Sequence, residues 1–375
     1  MDNFNFKIDY NNCLTNLSCS LRKYFNLPYN NKTLLKIDKI LEEKNPENII
    51  LILFDGLGSK ILKKTLPENS FLIKNQITEL TSTFPPTTTA ATTSLETGLN
   101  PIEHGWLGWT MYINELNDIF TLFLNCQKGK KNPDENFIKI KEKYLNSKKI
   151  YDELNEKKIC ESYLLNPFCD ETKKNYFKYN KLNDMIKIIK DLIIKKGKKF
   201  IYVYHPEPDH LMHLKGCDTN EVIKEIKKIN NKMEELSKEI LSINSNCLFI
   251  ITADHGHLNT DNVILNKEIS ILMERSLSIE GRACSFKIKN GKFEEFKNKF
   301  LEFYGKDFYL FDKNEVIKNK FFGDGNFNYL FNDAIGDFIA ISKNNKILIE
   351  EGDFPLKSAH AGISDDEVYV PLIIF

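Results

Sequence analysis

The run Asn48 to Phe54 (NIILILF) is apolar and unbroken, as expected of a strand buried on both faces. Lys158–Leu165, Phe200–Tyr204 (FIYVY) and Cys247–Thr252 (CLFIIT) read the same way. Between them lie charged segments of helical period: Leu34–Leu41, Phe137–Leu154, Leu182–Lys196 and Asn220–Leu241. Strands alternating with helices predict an α/β fold with a mostly parallel central sheet and helices on both faces. From about Asn262 to Gly352 the rhythm changes to short alternating pieces: Cys284–Ile288, Phe308–Leu310, Phe338–Ile341 and Lys346–Ile349. Turn signals such as Lys289-Asn290-Gly291 separate them, and the run Val368–Phe375 (VYVPLIIF) then returns to the main sheet. The expected organisation is a main domain of residues 1–261 plus 353–375, with an inserted α+β subdomain at 262–352.

Composition narrows the function classes. The 375 residues carry 52 Lys+Arg against 52 Asp+Glu, so a nucleic-acid duplex and a polybasic membrane contact are both disfavoured. No apolar run reaches the roughly 18–20 residues of a bilayer span, and Met1–Phe6 has neither a basic nor an apolar leader region. Eight scattered cysteines without a C-x-x-C pair read as reduced thiols, and the expected location is the cytoplasm. The positive charge is nearly all Lys; Arg22, Arg275 and Arg282 are the only arginines.

All seven histidines fall in four short segments: His104; His205, His210 and His213; His255 and His257; His360. The buried run NIILILF ends in Asp55-Gly56-Leu57-Gly58, which can point a carboxylate into the crevice at a strand end. Thr87-Thr88-Thr89 follow Pro85-Pro86 and open a helix with Ala90–Glu96 as its body. Its first turn presents free N–H groups to a phosphate or to a hydroxyl nucleophile. Asp209 and His213, at i,i+4, share one helix face, while His210 points elsewhere. Asp254-His255-Gly256-His257 closes the run CLFIIT, and His360-Ala361-Gly362 precedes the last strand. Three Asp (55, 209, 254) and three His (213, 255, 360) suit two divalent metal ions, zinc first and manganese second.

This ordered series, with Thr97-Gly98-Leu99-x-Pro101-x-x-His104-Gly105 after the Thr-rich helix, resembles the alkaline phosphatase superfamily. Within it the chain is similar to the type I phosphodiesterase/nucleotide pyrophosphatase branch, from about residue 48 to the C-terminus, with 262–352 matching loosely as a variable cap. The resemblance implies one metal on Asp209, His213 and His360, and another on Asp55, Asp254 and His255. It places the nucleophile at Thr88, beside and liganded to the second metal, with Thr87 and Thr89 open as neighbours and Thr83 behind them. It implies hydrolysis of a small-molecule phosphate diester or pyrophosphate through a phosphothreonine. It gives His257 a role in orienting a ligand, and His104 a structural one. Where similar proteins carry an Asn that donates to the phosphoryl oxygen, Ala91 stands, so helix N–H groups, residues 104–112 or the cap would have to donate.

A phosphomonoesterase of the same superfamily and a metal-dependent phosphomutase are the alternatives. A monoester carries an extra charge that enzymes commonly meet with an arginine clamp. Only Arg275 and Arg282 lie in reach, which tilts the reading toward a diester. Trp106, Trp109, Met111 and Tyr112 are candidates to line a substrate pocket.

Overall fold

The computed structural model describes residues 4–243 and 246–375. Residues 1–3, which open the stretch read above for a leader, lie outside them. The chain builds two seven-stranded sheets. The first runs, edge to edge, Gln76–Thr81, Tyr369–Ile374, Cys247–Thr252, Asn48–Phe54, Lys199–His205, Glu161–Leu165 and Tyr176–Phe177. Its five strands from Cys247–Thr252 to Tyr176–Phe177 pair in parallel. Tyr369–Ile374 pairs antiparallel on both sides, so the sheet is mixed. Every residue of Asn48–Phe54 is buried, as a strand covered on both faces must be. One group of helices packs around Asn220–Ile243; another packs Leu14–Tyr24 against Leu35–Lys44 and Thr88–Thr97.

The second sheet is antiparallel throughout: Phe308–Asp312, Phe338–Ser342, Ala283–Phe286, Ser278–Ile279, Thr110–Ile113, Asp118–Thr121 and Cys126–Gln127. Period-2 alternation gives it two apolar faces. Phe338 and Ala340 join Phe286, Phe296 and Phe300 in one core. Ile339 and Ile341 join Met111, Phe120, Phe137 and Ile279 in another, which also takes Phe84 and Val368 from the first sheet's side.

The structure departs from the sequence reading here. The central sheet is mixed where a mostly parallel one was expected, and where a small α+β cap was expected the chain builds an antiparallel sheet as wide as the first. Three strands of that sheet lie within 110–127 and four within 278–342, on either side of residue 262. The segment Phe137–Leu154 is also two helices, Glu135–Tyr144 and Ile150–Glu156, not one. Phe137 and Leu145 pack in the second sheet's core, while Ile150, Tyr151 and Leu154 pack in the first. The chain changes layers at 145–149, and one straight helix cannot serve both.

Candidate active site

Strand register assembles the site. Phe54 pairs with His205 and Leu53 with Thr252, so three neighbouring parallel strands end at one edge. Adjacent strands lie about 4.8 Å apart, which brings the segments that follow them within side-chain reach. Asp55 leaves the first strand with its N–H on the His205 carbonyl (2.8 Å), and the Asp209 N–H reaches the Asp55 carbonyl (3.1 Å). Two glycines let these loops close. A Cβ on Gly56 would meet Asp209 Cβ at 2.9 Å, and its φ of +71° is left-handed as well. A Cβ on Gly256 would lie 1.9 Å from the Asp366 carbonyl oxygen.

The carboxylates are crowded. Burial, then the neighbouring Asp254 and Asp209, push the Asp55 carboxyl well above its usual range. Burial raises Asp254 too. Burial acts on Asp209 in the same sense, but His213, His257 and His360 around it hold its carboxyl well below the usual value. Asp254 Oδ1 accepts the N–H groups of Gly56 and His255, both at 3.0 Å. Its Oδ2 is buried and has no hydrogen-bond partner among the described residues. A buried carboxylate oxygen left in that state is costly unless a cation meets it.

The imidazoles are oriented by the backbone. Nδ1 of His213 lies 2.9 Å from the Ser358 carbonyl, Nδ1 of His360 is 3.0 Å from Pro86 O, and Nδ1 of His255 is 3.1 Å from Gly256 O. With the proton on Nδ1, each Nε2 lone pair faces the carboxylates. His213 Nε2 lies 3.4 Å from Asp209, His360 Nε2 3.9 Å from Asp209, and His255 Nε2 3.4 Å from Asp55. Burial, then the neighbouring His255, keeps His360 far below its usual pKa, so it is neutral, the form that binds a metal. His257 differs: its Nε2 sits 2.6 Å from Asp209 Oδ1, the place of a residue that aims the carboxylate.

Two clusters therefore have the donor set of a divalent-metal site. Ligand atoms of Asp55, Asp254 and His255 lie within 4.8 Å of one another, and so do those of Asp209, His255, His257 and His360. The first is the triad read from the sequence. The second holds His257, where the sequence reading had His213; His213 stands beside it, its ring 5.2 Å from that of His360. Buried oxygen and imidazole donors with an orphaned carboxylate oxygen fit such ions.

Of the threonines at the helix start, Thr88 faces this cluster. Its Oγ1 is 3.4 Å from each oxygen of Asp55 and 3.3 Å from His255 Nε2. Thr87 Oγ1 instead donates to Glu280 at 2.5 Å. The buried hydroxyls of Thr83 and Thr89 have no partner among the described residues. The helix Thr88–Thr97 has no side-chain N-cap bond, which leaves N–H groups of its first turn for an oxyanion.

Other sequence candidates are placed elsewhere. Trp106 is buried with Nε1 on the Leu145 carbonyl (2.9 Å), and Met111 is buried beside it in the same core. Tyr112 is buried, its hydroxyl on Asn117 (2.8 Å). Trp109 alone of the four is exposed, at 41%. His210 is exposed, and His104 and His205 are buried outside the cluster. Neither arginine forms a clamp: Arg282 is fully buried on Glu367 (2.6 and 2.9 Å), and Arg275 stacks on the Tyr112 ring at 3.6 Å.

Two residues escaped the sequence reading. Tyr204 donates to Asp55 Oδ2 at 2.5 Å, and its polar tip at the end of FIYVY was the available signal. Glu280 sits in the turn between strands Ser278–Ile279 and Ala283–Phe286 and gave none.

The sequence model of the type I phosphodiesterase/nucleotide pyrophosphatase family matches residues 49–353. Comparison with curated proteins gives no match. Among solved structures the fold is similar to murine ectonucleotide pyrophosphatase/phosphodiesterase 5, with 20% identity over 86% of this chain and 87% of that one and a TM-score of 0.67. An inactive Thr-to-Ala variant of the murine protein in complex with AMP aligns at 19% identity, with the same coverage and TM-score. The human counterpart aligns at 19% and 0.66, again over 86% of this chain and 87% of that one.

Proposed function

The chain belongs to the type I phosphodiesterase/nucleotide pyrophosphatase family, a family of phosphoric diester hydrolases, and from that premise we propose that it cleaves diester or pyrophosphate bonds of small molecules through Thr88. The observation that carries the reading is the position of the Thr88 hydroxyl, at the first turn of a helix and 3.3–3.4 Å from both Asp55 and His255. Two divalent cations, zinc first and manganese second, would be held by Asp55, Asp254 and His255 and by Asp209, His213 and His360. They would supply Lewis acidity that activates a hydroxyl and a water and neutralises charge on the leaving oxygen.

The chain's own residues do the rest. Thr88 Oγ attacks phosphorus in line with the leaving oxygen, giving a phosphothreonine, and water then attacks the same phosphorus to release Thr88. N–H groups at the start of helix Thr88–Thr97 face the phosphoryl oxygens and stabilise their developing charge. Tyr204 and His257 hold Asp55 and Asp209 in place. AMP in the inactive murine variant supports a nucleotide as the substrate of this chain. All eight cysteines are free thiols, which supports a reducing cytoplasm as its compartment.

The test is nitrophenol release from bis(p-nitrophenyl) phosphate and p-nitrophenyl phosphate, with zinc and with manganese. Thr88→Ala should lower diester turnover by at least about 10³-fold while metal content is kept. Retained turnover in the variant would remove Thr88 as the nucleophile. Faster turnover of the monoester would make the protein a phosphomonoesterase.

A further inference from the structure

Glu280 is the acidic side chain that the second sheet sends to the nucleophile helix. Its Oε1 accepts from Thr87 Oγ1 at 2.5 Å and from the Trp109 N–H at 2.7 Å. Thr87 is the residue immediately before Thr88, so the carboxyl group lies at the rim of the site, between the helix start and the exposed Trp109. No lysine or arginine forms an ion pair with Glu280 among the described residues. The two arginines of the insert are engaged elsewhere, Arg282 on Glu367 and Arg275 on Tyr112 and the Asp333 carbonyl. Burial pushes the Glu280 carboxyl up to about 7, so it is largely ionised in mildly alkaline solution.

We propose that Glu280 is a specificity-determining residue: its carboxylate, held between Thr87 and Trp109 beside Thr88, disfavours doubly charged phosphate monoesters relative to singly charged diesters. The inference rests on reading this cluster as a phosphoester site. The physical ground is repulsion between like charges near a low-dielectric wall, which grows with each charge on the ligand. Selectivity built from a repulsive element also accounts for a site that binds phosphate without a cationic clamp. A monoester entering it would meet one carboxylate too many, whereas a diester meets the metal-ion charge with less left over.

Glu280→Gln is the informative change, because the amide oxygen can still accept from Thr87 and Trp109 while the charge is gone. Binding of AMP, whose phosphate is a dianion, and of its methyl ester, a monoanion, is measured by calorimetry at about pH 8 on zinc-loaded protein. The Thr88→Ala background keeps turnover out of the measurement. Glu280→Gln should raise AMP affinity relative to the methyl ester by roughly tenfold, the scale of one charge at an effective dielectric near 20–40. Equal changes for both ligands, or none, would reduce Glu280 to an anchor for the loop and overturn the inference. Failure of either protein to bind either ligand would overturn it too. The functional reading is judged separately, by diester turnover in the Thr88 protein, so the two can fail independently. Glu280→Ala, which also removes the acceptor, should weaken both ligands if the anchor matters in addition.

Discussion

His104 lies behind the helix Thr88–Thr97, with Nε2 3.0 Å from Ser94 Oγ and Nδ1 accepting the Trp106 N–H at 3.0 Å. Burial pushes its pKa down to about 3. The unfolded chain binds this proton near pH 6.5 and the folded chain does not, so its contribution is complete above about pH 6.5 and is lost as pH falls toward 3. His104→Asn should therefore flatten the acid limb of a Tm-versus-pH curve, saving about 3 kcal/mol of the loss between pH 6.5 and 4. An unchanged slope would show that the imidazole titrates normally. At this scale the sequence was most legible for groups whose chemistry demands rare residue types. Asp55 and Asp254 at strand ends, Asp209 one helical turn before His213, and seven His in four short segments stood out against a Lys- and Asn-rich background. Glu280 did not, because one glutamate among 52 acidic residues carries no signal until a fold places it beside Thr87.

Helices and strands were readable where one core buried one face. The strands Asn48–Phe54 and Cys247–Thr252 have the bounds their apolar runs predicted. The helix Leu14–Tyr24 was invisible because Thr15, Asn16, Ser18, Ser20 and Arg22 are buried along with its leucines, which erases the polar-out pattern. It packs against the helix Thr88–Thr97. Gly98 closes that second helix at φ +73°, and a Cβ there would come within 2.9 Å of Arg22 Cδ. Arg22 is itself fixed by Glu153 at 2.5 Å and by the Pro28 carbonyl at 2.7 Å, so it has little room to withdraw. Gly98→Ala should cost about 1–3 kcal/mol, combining a left-handed alanine with that contact. The urea midpoint reads this directly; a midpoint unmoved within error would mean that the helix end shifts to accommodate the methyl group.

Across the whole molecule the two sheets are joined by a buried ion pair. Arg282, from the turn before strand Ala283–Phe286, meets Glu367, from the short helix Asp365–Val368 before strand Tyr369–Ile374, and neither side chain has solvent exposure. Glu367 also accepts the N–H groups of Gly362 (2.7 Å) and Ser364 (3.1 Å), close to His360. Its surroundings keep it ionised: burial acts against the charge, but Arg282 and Ser364 hold the carboxyl below its usual value. Arg282→Ala should destabilise by about 3–5 kcal/mol, because Glu367 would remain buried with its charge uncompensated. Chemical denaturation measures it, and a loss below 1 kcal/mol would mean that water replaces the guanidinium. The pairing of residues 85 positions apart could not be read from local pattern, nor could the sharing of one sheet between 110–127 and 278–342. That sharing bears on anyone wishing to exchange specificity between relatives by splicing. A donor segment covering 262–352 alone would arrive with four of that sheet's strands and find the three on the recipient's side shaped for different neighbours. A working chimera has to transplant both stretches together, along with the partner for Arg282.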